Sequence, residues 1–166
     1  LKRMGRHYNR AYYAERIERI ATLIPDCAIG ADVMVGFPGE TEEQFAQTKA
    51  LLCDLPITYL HVFPYSLREG TAAERLGDHL EKGTKKQRAR ELIALSEKKR
   101  LAFHQRFVGQ RLPVLTEGRQ DPATGLQVGL SDNYIKALFT GTAANNTLID
   151  IEVEQAREDL VFGAQI

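Results

Sequence analysis

The chain has 166 residues, 43% hydrophobic and 27% charged, and its 22 basic and 22 acidic side chains cancel at pH 7. That composition excludes a disordered or low-complexity polymer. No apolar run approaches the roughly 20 residues needed to cross a bilayer, so no membrane role is expected.

The first element is a helix. Asn9 suits its N-cap, Tyr13, Ile17, Ile20 and Ile24 form one apolar stripe, and Pro25-Asp26 ends it. Ala28 to Phe37 is a short, nearly continuous apolar run bounded by breakers, which predicts a strand buried on both faces. Thr41 and Gln44 have the spacing of a capping box, with Phe45, Leu52 and Leu55 along the face of the helix that follows. Tyr59 to Tyr65 is a second strand, residues 66–83 a loop, and Thr84 to about Phe107 a long basic helix. This alternation predicts a parallel α/β sheet, and two strands fit part of a (β/α) barrel. The opening Leu1, with Met4 inside a basic stretch, reads as a piece of a longer protein.

After Gly109 the pattern changes. Leu112–Leu115, Leu126–Val128, Tyr134–Phe139 and Leu148–Val153 are strand candidates separated by Gly118, Gly125, Gly129, Gly141 and Asn145-Asn146. About five short strands in some 60 residues predict a small antiparallel β-barrel, OB-like. The expected division is therefore 1–108, an α/β part with its linker helix, and 109–166, the barrel.

Charge follows the same blocks. Residues 1–19 carry six basic and two acidic groups, 20–80 three and nine, 81–106 nine and three, and 107–166 four and eight. A polyanion would have to use the first or third block. Lys85, Lys86, Arg88 and Arg90, then Lys98, Lys99 and Arg100, crowd the long helix, as a solvated face or a phosphate-contacting one. Cys27 and Cys53 have no metal-ligand spacing and read as buried or half-buried thiols of a reducing compartment, the cytoplasm.

In a barrel of this kind the site lies at the C-terminal ends of the strands. Gly36, Phe37, Pro38 and Gly39 form one such end, where glycine allows close backbone approach and the next helix N-terminus favours an anion. Glu40, beside them, has no assigned role. A tight strand-to-helix turn explains the same residues without a ligand. Phe63, Pro64, Tyr65 and Ser66 end the second strand, and the ring and hydroxyl of Tyr65 suit a planar heterocycle. His61, inside the apolar strand, reads as a hydrogen-bonded core residue. No Walker sequence, no Ser-His-Asp arrangement and no metal ligand set is visible, so neither catalytic nor metal-binding residues are assigned. On the barrel, Ser131 to Lys136 mixes amide, aromatic and base, a combination able to clamp an RNA loop through Asn133, Tyr134 and Lys136.

"LKRMGRHYNRAYYAERIERI", "ADVMVGFPGETEEQF" and "HVFPYSLREGTAA" follow one another at distances that resemble the C-terminal half of the radical S-adenosylmethionine methylthiotransferases. The basic helix and the final barrel are similar to that family's linker and its RNA-binding TRAM domain. "HVFPYSLREGTAA" with "LSDNYIKA" resembles the branch acting on N6-threonylcarbamoyladenosine beside the tRNA anticodon. The resemblance implies S-adenosylmethionine as cofactor, held near Gly36–Gly39 and Phe63–Ser66. It also implies two 4Fe-4S clusters, whose cysteine ligands do not occur in this chain, so the chain alone is expected to be inactive. One cluster would generate a deoxyadenosyl radical from S-adenosylmethionine, and the other would deliver the methylthio group. Arg3, Arg6 and Arg68 are candidates for substrate phosphates or the threonyl carboxylate, and Lys85 and Lys86 for tRNA.

Two other readings use the same residues: a non-catalytic RNA-binding module, and a methylthiotransferase acting on a ribosomal protein. The strand edges of a partial barrel also predict some self-association.

Overall fold

The computed structural model describes residues 1–166. They divide into two compact units, Leu1–Ser96 and Glu97–Ile166.

The first unit begins with α1 (Arg10–Leu23), where the Asn9 side chain accepts from the Tyr12 amide at 2.9 Å. β1 (Gly30–Val35), α2 (Glu42–Asp54) and β2 (Tyr59–Pro64) follow. β1 and β2 pair in parallel from Gly30–Tyr59 to Val35–Pro64, so their C-terminal ends lie level. At the start of α2 both arms of the capping box form. The Thr41 hydroxyl accepts from the Gln44 amide at 3.2 Å, and Gln44 accepts from the Thr41 amide at 3.1 Å.

Only one face of this sheet is covered. Ala31, Val33, Val35 and Leu60 pack with Ile17 of α1, Phe45 and Leu52 of α2, and Ala89 and Leu92 of α3 (Lys82–Gln105). Burying each large aliphatic or aromatic side chain contributes about 1.5–3 kcal/mol. On the other face Asp32, Tyr59, His61 and Phe63 are exposed and Met34 is half-buried. The expectation of a strand buried on both faces is therefore corrected, and His61 is not a core residue. The apolar stripe of α1 buries only Ile17. Along β2, the Ser96 hydroxyl accepts from the Leu60 amide at 2.8 Å and donates to its carbonyl at 3.2 Å, so a helix side chain satisfies both groups.

A single 3-10 turn, Ala72–Arg75, interrupts the loop before α3. Helix α3 starts and ends within two residues of its expected limits, and its residues fall in both units. The composition change at 108/109 marks where helix gives way to strand.

The second unit is a closed barrel of β3 (Arg111–Gln120), β4 (Gln127–Ser131), β5 (Lys136–Thr140), β6 (Leu148–Ala156) and β7 (Val161–Gln165), in the order β3-β4-β5-β7-β6. All pairings are antiparallel except β5–β7. The fold is thus the mixed α/β part and small barrel expected from the sequence. Three details differ. The closing strand β7 has no counterpart among the four strand candidates, Gly118 and Gly129 lie inside β3 and β4 rather than between strands, and Tyr134 lies in the turn before β5 rather than in the strand. The barrel centre is fully buried, with Val114, Phe139, Ile151 and Val161 inside. Within the same unit the last turn of α3 holds His104, whose Nδ1 donates to the Arg157 carbonyl at 2.6 Å.

Candidate functional site

The first cluster forms at the level C-terminal ends of β1 and β2. Gly36 and Gly39 take φ values of 73° and 74°, a left-handed conformation that lets the chain turn from strand into helix. The room left by their missing side chains is filled by protein: a Cβ on Gly36 would collide with the stem of Lys85, and one on Gly39 with the guanidinium of Arg3. The same Arg3 lies 5.9 Å over the Phe37 ring. Pro38 is buried, and the Gly39 amide donates to the Asp78 carbonyl at 2.8 Å.

Glu40 has a defined place. Its Oε2 accepts from the Gly36 amide at 3.1 Å, and its Oε1 takes Arg88 Nη1 at 2.5 Å. Arg88 Nη1 also reaches the Glu40 carbonyl at 3.1 Å, Nη2 reaches Glu42 at 3.0 Å, and Phe45 lies 5.1 Å beneath the guanidinium. Arg88 is 5% exposed, so this part of the basic helix is not a solvated face. Burying such a charge requires paired, well-bonded partners, which Glu40 supplies. The sequence pointed at Glu40 without a role, and at Arg88 only as one base among many. Their pairing over 48 positions has no local signature.

At the end of β2, Tyr65 is 8% exposed. Phe37 meets it edge-on at 5.6 Å, and His79 stacks on it at 6.1 Å. Lys85 donates to its carbonyl at 3.2 Å. The Tyr65 hydroxyl is buried without a hydrogen-bond partner. Phe63, on the open face of the sheet, is 37% exposed, and Pro64 and Ser66 are exposed too. Arg6 and Arg68 are exposed, as is Lys86, while Lys85 is half-buried.

The second cluster is the β4–β5 hairpin. It brings Asn133, Tyr134 and Lys136 together. The Ser131 hydroxyl accepts from the Ile135 amide at 2.8 Å and donates to Asn133 Oδ1 at 2.5 Å. This brace holds Tyr134 at φ 63° and 80% exposed. A large aromatic in the left-handed region costs strain, and such strain concentrates where a side chain is used.

A nucleoside sulfonium such as S-adenosylmethionine suits the first cluster on one observation, the orphaned Tyr65 hydroxyl beside aromatic rings and a turn of backbone. An iron–sulfur cluster does not suit this chain: Cys27 is half-buried and Cys53 exposed, and no group of three His, Cys, Asp or Glu residues converges. No helix is long and apolar enough to cross a membrane.

No protein-family model matches the chain. It is 38% identical over 144 residues to the threonylcarbamoyladenosine tRNA methylthiotransferase MtaB of Bacillus subtilis, covering 86% of this chain and 32% of that protein. It is 35% identical over 164 residues to a tRNA-2-methylthio-N(6)-dimethylallyladenosine synthase of Desulfitobacterium hafniense, covering 98% and 37%. A synthase of the same name from Syntrophotalea carbinolica is 42% identical over 129 residues, 78% and 30%. The chain thus spans about a third of the length of these relatives, and the second alignment takes in both compact units. Over the stretch it shares with them, the chain is similar to the tRNA methylthiotransferases that its motifs resemble.

Proposed function

We propose that this chain is part of a cytoplasmic enzyme that methylthiolates N6-threonylcarbamoyladenosine next to the tRNA anticodon. In this reading residues 1–108 complete an α/β catalytic domain and residues 109–166 form a TRAM-like, RNA-binding barrel. The observation that carries the reading is similarity to tRNA methylthiotransferases over nearly the whole chain, through both units. The threonylcarbamoyl branch is favoured by "HVFPYSLREGTAA" and "LSDNYIKA", together with the relative of that name.

Each cluster then has a task. Phe37–Gly39 and Phe63–Ser66 would hold S-adenosylmethionine at the strand ends, with Gly36 shaping the turn and the Tyr65 hydroxyl offering a buried donor to a polar atom. When bound, that cofactor would supply the hydrogen-abstracting group and the methyl group, with the electron coming from one of two 4Fe-4S clusters held by residues that are not in this chain. Arg3, Arg6 and Arg68 would meet tRNA phosphates or the threonyl carboxylate. Tyr134 would stack on an unpaired base, flanked by Asn133 and Lys136, with Lys86 on a phosphate.

Nucleoside mass spectrometry of bulk tRNA, from cells with and without the parent gene, tests this. Loss of 2-methylthio-N6-threonylcarbamoyladenosine with accumulation of its precursor is the expected result. Loss of the methylthio mark from dimethylallyladenosine instead would move the protein to the other branch. An unchanged profile, in a strain that carries both marks and no second enzyme for either, would overturn the tRNA reading. It would leave a protein substrate or a binding module.

A further inference from the structure

The two cations that α3 sends back toward the strand ends, Lys85 and Arg88, are three positions apart and so share one helix face. Between them they engage the C-terminal ends of both strands. Lys85 threads its stem into the space over Gly36 and bonds the Tyr65 carbonyl after β2. Arg88 grips the loop after β1 twice, at the side chain and at the carbonyl of Glu40, while the other oxygen of Glu40 holds the Gly36 amide. The turn 36–40 is thereby closed on itself and tied to the helix. Arg88 does this while its buried Nε makes no hydrogen bond, so the hold on the turn rests on its two Nη groups.

We propose that Arg88, acting through Glu40, is a positioning residue: it holds the turn 36–40 in the shape that receives S-adenosylmethionine. This rests on the reading of that turn as a cofactor contact. Arg88 does not touch the ligand itself. Its effect is on the fraction of molecules whose turn is ready to bind.

The test uses the intact, cluster-loaded protein with Arg88→Met, Glu40→Gln and, as control, Lys49→Ala, which breaks the more exposed Lys49–Glu91 pair between α2 and α3. Two quantities are read: amide exchange of residues 34–41 and 63–66 with and without S-adenosylmethionine, and the dissociation constant of S-adenosylmethionine by equilibrium dialysis. In the wild type the ligand should protect both segments. Arg88→Met should speed exchange at 36–40 and weaken binding about tenfold, as expected if the competent turn is populated about one-tenth of the time. Glu40→Gln, which keeps the volume and is the variant to read if Arg88→Met does not fold, should do the same more weakly. Lys49→Ala should do neither. Faster exchange at 36–40 with unchanged affinity, in a protein whose wild type shows ligand protection there, would overturn the positioning role and leave the cofactor reading standing. Binding without protection of either segment in the wild type would overturn both.

Discussion

The two units solve the same problem, covering a sheet, in different ways. The five-stranded barrel closes on itself: every strand has two partners, and its centre is filled by residues with almost no exposure. The β1–β2 sheet covers one face with helices and leaves Asp32, His61 and Phe63 exposed on the other. The barrel is held mainly by apolar packing. The strand ends of the α/β unit are held by polar ties: Arg88 to Glu40, Lys85 to the Tyr65 carbonyl, Gly39 to Asp78. The lesson is that close packing suits a region that must stay shut, whereas directional bonds from distant side chains fix the backbone of a turn at chosen atoms.

The contrast makes graded predictions. Phe139→Ala, at the fully buried barrel centre, should cost about 3–5 kcal/mol. Urea denaturation followed by amide exchange should show that loss in the barrel and little change in residues 1–96; equal losses in both would mean that the two units unfold as one. Glu40→Ala should cost about 3 kcal/mol, because it leaves the buried Arg88 charge only the exposed Glu42 carboxylate and a backbone carbonyl, and the same experiment should place the loss in residues 1–96.

A smaller effect is set by pH. Burial, with Arg100 adding repulsion, holds the His104 imidazole below its ordinary value of 6.5, against the pull of the Arg157 carbonyl and Asp159. The unfolded chain therefore takes up the proton first. The barrel should keep its full stability above about pH 6.5 and lose some as pH falls below that toward the folded-state value. His104→Gln should flatten this slope in thermal melts between pH 7 and 5.

The smallest stability change should come from Tyr134→Gly. Relief of the left-handed strain outweighs the added glycine entropy by about 0.5 kcal/mol. The same substitution should weaken tRNA binding about tenfold, the scale of one lost base stack. A variant that is both destabilised and fully able to bind would remove Tyr134 from the RNA surface.

The strongest signals in the sequence were local ones. Asn9 and the Thr41–Gln44 box place two helix starts, because a cap needs only residues within one turn. The alternation of elements, and the change after Gly109, give an α/β part followed by a small barrel, because periodicity records which faces are apolar. The motifs pointed to the methylthiotransferase resemblance on the same footing. The tertiary structure decided what depends on distant partners. It opened one face of the sheet and put His61 on it, because no element covers that side in this chain. It completed the barrel through β7, whose short run Val161–Gln165 carries no pattern of its own and is defined by β5 and β6 on either side. It turned one base of a charged helix into the buried partner of Glu40, 48 residues away. A charge run in a sequence does not say which of its members the fold will remove from water.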